Sequence, residues 1–264
     1  MEKRLQRVGV FYNPKKREAK KGIEILKKWA RERNIEVSIE DTNVDLGIAI
    51  GGDGTVLYTL QRLAPNNIPV IGVNTGRLGF LTTIEFKDFL YLLESLEMKR
   101  FFIERHPVIQ LSIDDHLYYA FNEVVFLKSE NTPLISLIFS FEKDSIITPP
   151  ADGIIVSTSA GSTAYALSAG GPIIFPDLEV FEIVPICAHS LASRSLIFDL
   201  NNKEINVKSL RRSSQLEVWV DGKEVDIVSN KNKIIIKKAQ FYANLIFLPG
   251  WEFINRLKKK LHWR

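Results

Sequence analysis

Cysteine is almost absent from this 264-residue chain. Cys187 stands alone, so neither an internal disulfide nor a cysteine-built zinc site can form. Histidine is sparse as well, and positions 106, 116, 189 and 262 are too far apart in sequence to make a local metal pair. Any metal is therefore expected on carboxylates or on the phosphates of a ligand. No apolar run approaches the roughly 18 residues that cross a bilayer, and Met1-Glu2-Lys3-Arg4 has no apolar signal region behind it. The expectation is a cytoplasmic protein with no membrane partner. Neither a Walker loop nor a Gly-x-Gly-x-x-Gly string occurs, which disfavours a P-loop ATPase and a Rossmann dehydrogenase. The net charge is +4, but the basic residues are not interleaved with aromatics along one stripe, so nucleic acid is not an expected partner. The basic clusters Lys15-Lys16-Arg17 and Lys258-Lys259-Lys260 read as solvated helix faces.

What the chain does contain is the run Gly51-Gly52-Asp53-Gly54-Thr55, set between an apolar stretch (Leu46, Ile48, Ala49, Ile50) and residues recurring at helical spacing (Val56, Leu57, Leu60, Leu63). Glycines admit positive φ and close approach to phosphate oxygens, and the opening N–H groups of a helix add partial positive charge. The run therefore reads as a phosphate site with a carboxylate fixed in it. A helix cap at Asp53 is the competing reading, with Thr55 also available as the cap.

Strand and helix signals alternate over the first hundred residues: Arg7 to Tyr12, a helix bearing Ile23, Ile25, Leu26, Trp29 and Ala30, then Ile35 to Ile39, Leu46 to Ile50, a helix to Leu63, and Val70 to Val73. Alternation of this kind predicts a parallel, Rossmann-like α/β sheet. From about Phe101 short alternating segments follow one another: Val108 to Ile113, Leu117 to Val125, Leu134 to Phe141, Ile154 to Ser157, Leu196 to Leu200, Ile205 to Val207, Leu216 to Val220 and Ile234 to Ile236. Turns such as Asp114-Asp115, Asn201-Asn202 and Asp221-Gly222 connect them. A length of 264 residues suits two domains at roughly 150 residues each. The expected division is an α/β domain over 1–100 and a β domain over 101–244. The tail 245–264, an amphipathic helix through Trp251, Phe253, Ile254 and Leu257, is expected to return to the first domain. A short helix is expected at Ser162 to Ala169. Inside it, Ala166-Leu167-Ser168-Ala169-Gly170 nearly matches the nucleophile elbow of hydrolases, but Ser168 lies within a helix already begun.

The block Asp152 to Pro172, with Gly161-Ser162-Thr163-Ala164-Tyr165 and the trailing Ser168-Ala169-Gly170-Gly171-Pro172, is rich in hydroxyls and small residues. Together with Gly51 to Thr55, Asn74 to Phe80 and Asn122-Glu123, in this order, it resembles the NAD kinase family over nearly the whole chain. The glycine loop alone is shared with diacylglycerol and sphingosine kinases, so a lipid kinase is one rival and a non-catalytic NAD-binding regulator another. The resemblance implies an α/β N-terminal domain and a C-terminal β-sandwich in a homodimer or homotetramer. It also implies transfer of the γ-phosphoryl group of ATP to the adenosine ribose 2′-hydroxyl of NAD, with Mg²⁺ carried by the ATP phosphates.

Carried over residue by residue, Asp53 resembles the catalytic carboxylate, and Gly51, Gly52, Gly54 and Thr55 resemble the phosphate loop. Phe80 resembles the aromatic lining the adenine pocket, and Asn122 with Glu123 the pair on the NAD ribose. Asp152 resembles the acid at the nicotinamide end. Thr163, Ala164, Tyr165, Ala166, Leu167 and Ser168 resemble the dinucleotide-contacting segment, and Ala188 lies in a possible contact region. The chain departs from the family pattern at Ser159-Ala160, where Pro-Thr is usual, and at Tyr58 and Pro150, where basic residues are often found.

Overall fold

The computed structural model describes residues 5–76, 79–129, 133–142, 144–199, 204–211 and 215–263. The expected turn at Asn201-Asn202, Leu200 at the end of the expected strand, and Arg77 and Leu78 of the Asn74 to Phe80 stretch lie outside these residues.

The chain begins with β1 (Arg7–Tyr12), α1 (Arg17–Arg31), β2 (Glu36–Ile39), β3 (Leu46–Gly51), α2 (Asp53–Leu63), β4 (Val70–Asn74), the two-residue β5 (Ile84–Glu85) and α3 (Phe89–Glu97). β1 pairs in parallel with β2 and β3, β3 with β4, and β4 with β5, so four strands lie in the order β2-β1-β3-β4. Every residue of β3 and β4 is buried, as expected of central strands covered on both faces. Ala19 and Leu26 of α1 and Phe89, Leu92 and Leu93 of α3 pack with Ile48, Ile50 and Val73 into one apolar core. Because β2 and β3 lie on opposite sides of β1, the strand order reverses between β1 and β3. In open α/β sheets, ligands bind outside the carboxyl ends of the strands at such a point.

The β segment runs β6 (Phe102–Ile113), β7 (His116–Ala120), β8 (Glu123–Lys128), β9 (Leu137–Ser140), β10 (Ser145–Ile147), β11 (Gly153–Thr158), a 3-10 turn over Ala160–Thr163, α4 (Tyr165–Ser168), β12 (Val180–Ile186), β13 (Leu196–Asp199), β14 (Ile205–Ser209), β15 (Leu216–Val220), β16 (Lys223–Val228) and β17 (Ile234–Phe247); α5 (Phe253–Leu261) ends the chain. Six strands form an antiparallel sheet in the order β13-β12-β11-β8-β15-β16, facing strands in the order β10-β9-β14-β17 together with β6 and β7. Between them lies an apolar core containing Phe126, Phe139, Val156, Phe181 and Val218. By contacts, the molecule divides into a unit of residues 1–105 and 241–264 and a second of 106–240.

Several expected elements differ in extent. The stretch Leu117 to Val125 forms two strands, because Phe121 and Asn122 leave the ladder and give their N–H groups to the Asp221 carboxylate. Leu134 to Phe141 shrinks to β9, with Ile135 making an isolated bridge to Ala151. Ile234 to Ile236 opens a 14-residue strand whose polar Lys237, Lys238 and Gln240 hide the continuation. The expected helix over Ser162 to Ala169 is broken at Ala164 (φ −99°, ψ −125°). Strands β12 and β16 carry the charges Glu182, Glu224 and Asp226, which mask their period, and neither was expected from the sequence.

Candidate active site

In the first unit, β3 delivers the chain to Gly51 at its buried end, and α2 begins at once with Gly52 as its N-cap. Thr55 is therefore not the cap: its N–H and that of Val56 both donate to the Gly52 carbonyl, at 2.9 and 3.2 Å. The first N–H groups of the helix, those of Asp53 and Gly54, have no intrahelical acceptor. The glycines serve space rather than positive φ. None of Gly51, Gly52 and Gly54 has φ above zero. A Cβ on Gly51 would come to 2.1 Å from the Thr55 hydroxyl oxygen, whereas Gly52 and Gly54 face open space. Around them lies a cleft of about 410 Å³ lined by Tyr12, Asn13, Gly52, Gly54, Thr55 and Tyr58. Tyr12 ends β1 and Gly52 follows β3, so the cleft stands where the strand order reverses. Exposed helix-opening amides in such a cleft can bind an anion. Tyr58, where the family often has a base, packs edge-on against Phe11 with ring centroids 6.2 Å apart.

Asp53 does not cap its own helix. Its Oδ2 accepts the Phe80 N–H at 2.8 Å, and its Oδ1 accepts those of Leu81 and Thr82, each at 3.2 Å. Two carboxylate oxygens offer about four lone-pair sites, so Oδ2 keeps one for a further donor such as a substrate hydroxyl. Burial pushes the Asp53 carboxyl above its usual range, opposed by the Phe80 and Leu81 amides, the charge of Lys260 and the Thr82 amide. The result is a held, desolvated and hence more basic carboxylate.

Two residues of this arrangement carried no signal of their own in the sequence. A Cβ on Gly79 would lie 1.7 Å from Asp53 Oδ1, so only glycine leaves room for the carboxylate. Lys260 is half-buried, with its ammonium 5.7 Å from the centre of the Phe80 ring, and Lys259 lies 4.0 Å from that of Trp251. The basic cluster on α5 is therefore not wholly a solvated face.

In the second unit, Asp221 receives the N–H groups of Phe121, Asn122 and Glu123 at 3.0, 2.8 and 3.2 Å. It sits in the β15–β16 hairpin, where it and Gly222 both have positive φ (46° and 75°). A residue legible in sequence only as a turn former thus fixes the Asn122-Glu123 pair. Behind the pair, Thr158 N–H and Ser157 Oγ donate to the Asn122 carbonyl at 2.8 and 3.2 Å. A Cβ on Gly161 would come to 2.1 Å from that same oxygen. Glu123 is buried, accepts the Tyr165 N–H, and is pushed up to about 7 by burial and by the charge of Asp221.

The segment over Glu123 has one side chain turned inward and others outward. Ala166 is fully buried against Val125, Ile155 and Val184, whereas Tyr165 and Ser168 are exposed and Thr163, Ala164 and Leu167 half-buried. Ser168 closes the four-residue α4, seven residues beyond the middle of the 3-10 turn that follows β11, so it does not stand at the sharp strand-to-helix turn of a nucleophile elbow. Asp152 pairs with Lys128 at 2.6 Å, and Ala188 packs at the edge of the sandwich core.

A parallel α/β unit with an acid-bearing glycine loop at its switch point, in one chain with an antiparallel β unit, suits a nucleotide-dependent phosphotransferase. The comparisons give the family. Residues 27–101 match the ATP-NAD kinase N-terminal domain and residues 121–248 the ATP-NAD kinase C-terminal domain. An NAD kinase of Clostridium tetani is 34% identical over 229 residues, covering 84% of this chain and 82% of the relative. One of Methanothermobacter thermautotrophicus is 33% identical over 223 residues, covering 84% and 78%. The crystal structure of an NAD kinase from Archaeoglobus fulgidus in complex with ATP matches with a TM-score of 0.78 at 27% identity, covering 97% of this chain and 99% of that one. Yeast NADH kinase complexed with NADH shares the fold, with a TM-score of 0.88 at 20% identity, covering 100% and 89%. The chain belongs to the NAD kinase family. Its activity is that of the family, phosphoryl transfer from ATP to NAD.

Proposed function

We propose that Asp53 is the base of this transfer, accepting the proton of the NAD 2′-hydroxyl while the amides of the Gly51 to Thr55 loop bind phosphate. The observation that carries this reading is the lone-pair count at Asp53, whose three backbone donors leave Oδ2 open to one more. Phosphoryl transfer asks the protein mainly for positioning and charge neutralisation. Among the described residues no three His, Cys, Asp or Glu side chains cluster to hold a metal. A divalent cation, Mg²⁺, belongs to the reading as one carried on the ATP phosphates, where it would neutralise their charge. The second unit supplies dinucleotide recognition: Asn122 and Glu123, fixed by Asp221, suit ribose hydroxyls, and the exposed Tyr165 with Thr163, Ala164, Leu167 and Ser168 offers an aromatic face and free polar groups to a base or carboxamide. The reading assigns Phe80 to the adenine end, Asp152 to the nicotinamide end and Ala188 to the dinucleotide contacts.

Asp53→Asn keeps the shape and removes the base, so kcat should fall by about 10² to 10⁴-fold with NAD binding retained. NADP formation from ATP, Mg²⁺ and NAD, read through an NADP-specific dehydrogenase, measures this; full activity in the variant would remove Asp53 from the role.

Self-association as a dimer or tetramer belongs to the same reading. Its support is the edge strand β13 of the six-stranded sheet, which exposes Leu196 and Ile197. Apolar edge strands invite pairing. Sedimentation equilibrium giving a monomer mass at micromolar concentration would sink it. We place the enzyme in the cytoplasm, where ATP and NAD are both present, and cell fractionation tests this; no helix among the described residues is long and apolar enough to cross a membrane.

A further inference from the structure

The cleft at the glycine loop is lined by Tyr12, Asn13, Gly52, Gly54, Thr55 and Tyr58, none of them a cation. Transfer of a phosphoryl group spreads negative charge over its equatorial oxygens, and a fixed positive group beside them is among the strongest aids a protein can offer. Within the first unit, α5 brings such a group. The helix is anchored by Arg256, buried to 2% exposure, whose guanidinium donates to both carboxylate oxygens of Glu104 at 3.1 and 2.7 Å and lies 3.9 Å from the centre of the Phe247 ring. Phe253 and Leu257 are buried beside it. One turn on, Lys260 is half-buried, with Nζ 5.7 Å from the centre of the Phe80 ring. Phe80 is the residue whose N–H donates to Asp53 Oδ2 at 2.8 Å. The ammonium thus faces the ring, and the carboxylate the main chain, of one residue, and the lysine's charge favours the charged form of Asp53. An aromatic face and partial burial strengthen a charge that bulk water would screen.

We propose that Lys260 is a further catalytic residue of the transfer, its ammonium contacting the migrating phosphoryl group beside Asp53. The inference rests on the assignment of Asp53 as base. In the step, the 2′-hydroxyl proton passes to Asp53 and the 2′-oxygen forms its bond to the γ-phosphorus. The bond from that phosphorus to the β,γ-bridging oxygen breaks, and its electron pair leaves with ADP. Lys260 stays protonated throughout.

The test uses the full chain with Mg²⁺, ATP and NAD and compares Lys260→Met, Lys260→Arg and, as a control on the same helix, the exposed Lys258→Met. Lys260→Met should lower kcat by about 10²-fold or more. Its acid limb of kcat/KM against pH should move up, since Asp53 loses a cation that favours its charged form, and its thermal midpoint should match the parent's. Lys260→Arg should recover most of the rate and Lys258→Met should lose none. A Lys260→Met variant with parental kcat and an unmoved acid limb overturns the proposal, as does a loss that tracks a lowered thermal midpoint and is not recovered by arginine. Asp53→Asn is run beside them. An inactive Asp53→Asn with a fully active Lys260→Met overturns the lysine alone; an active Asp53→Asn overturns the base assignment and the lysine proposal with it.

Discussion

At the scale of single residues, the carboxylate of Asp53 is held by what surrounds it rather than by its own helix. Its three donors are consecutive main-chain amides, Phe80 to Thr82, reached across 27 to 29 residues of sequence. Gly79, just before them, makes the room. Gly79→Ala would drive a methyl group into Oδ1 and must displace either the carboxylate or the strand-end loop. We expect kcat to fall about 10²-fold, the usual effect of misplacing a reacting group by about 1 Å, with stability reduced by about 1–3 kcal/mol from the overpacking. Steady-state kinetics alongside urea unfolding separates the two; a variant with parental kcat would show that the carboxylate position is not critical. Gly51 shows the same logic against Thr55, and in neither case does positive φ explain the glycine. The dense Gly-Asp pattern was legible as a strand-to-helix loop, but its steric reason was not, because the atoms that forbid a side chain come from residues whose approach only folding sets.

At the scale of elements, the strands and helices of the first unit were largely legible. Uniformly apolar runs such as Leu46 to Ile50 and one-faced helices such as α1 follow directly from burial on two faces or on one. The β segment was harder. Strand β12 carries Glu182 and Pro185 within an otherwise apolar run, and β17 runs Ile234-Ile235-Ile236 straight into Lys237-Lys238, so neither shows period-2 patterning. The C-terminal helix shows what an element owes to a single buried ion pair. Arg256 donates to Glu104 and to the Trp251 carbonyl and stacks on Phe247. Replacing it by methionine removes both guanidinium contacts from the Glu104 carboxylate in a largely buried setting, and we expect a loss of about 3–5 kcal/mol. Arg256→Lys should recover little of it, since an ammonium cannot make the two-pronged contact. Denaturant unfolding curves for both variants check this; a change within about 0.5 kcal/mol would mean the ion pair contributes little to anchoring the helix.

At the scale of the whole molecule, two buried carboxyls make stability depend on pH. Glu182 is fully buried in β12, with neither oxygen hydrogen-bonded among the described residues, and burial pushes it up to about 7 from an ordinary 4.5. A carboxyl raised in this way leaves stability intact below about pH 4.5, where it is neutral in both states, and removes it progressively as pH rises through 7. Glu182→Gln should therefore match the parent near pH 4.5 and exceed it by about 1–3 kcal/mol at pH 8. Melting curves at the two pH values provide the measurement, and an equal difference at both would show that folding does not raise the Glu182 carboxyl above its unfolded value. Glu123 is raised to the same value, but there the Tyr165 amide gives the charged form a partner.

The sequence by itself determined the class of each half and the family to which the chain belongs, and it singled out the Gly51 to Thr55 run and the Asn122-Glu123 pair as candidates, because these reside in local period and in contiguous strings. The tertiary structure alone decided what holds those residues in place. Asp53 is fastened by amides from a later loop, Asn122 and Glu123 by the Asp221 hairpin a hundred residues on, and Phe80 meets the ammonium of Lys260 from the other end of the chain. Each of these contacts joins positions far apart in sequence, and their pairing has no local signature. It follows from packing one element against another, where distance and burial give a turn residue or a basic tail its chemical role.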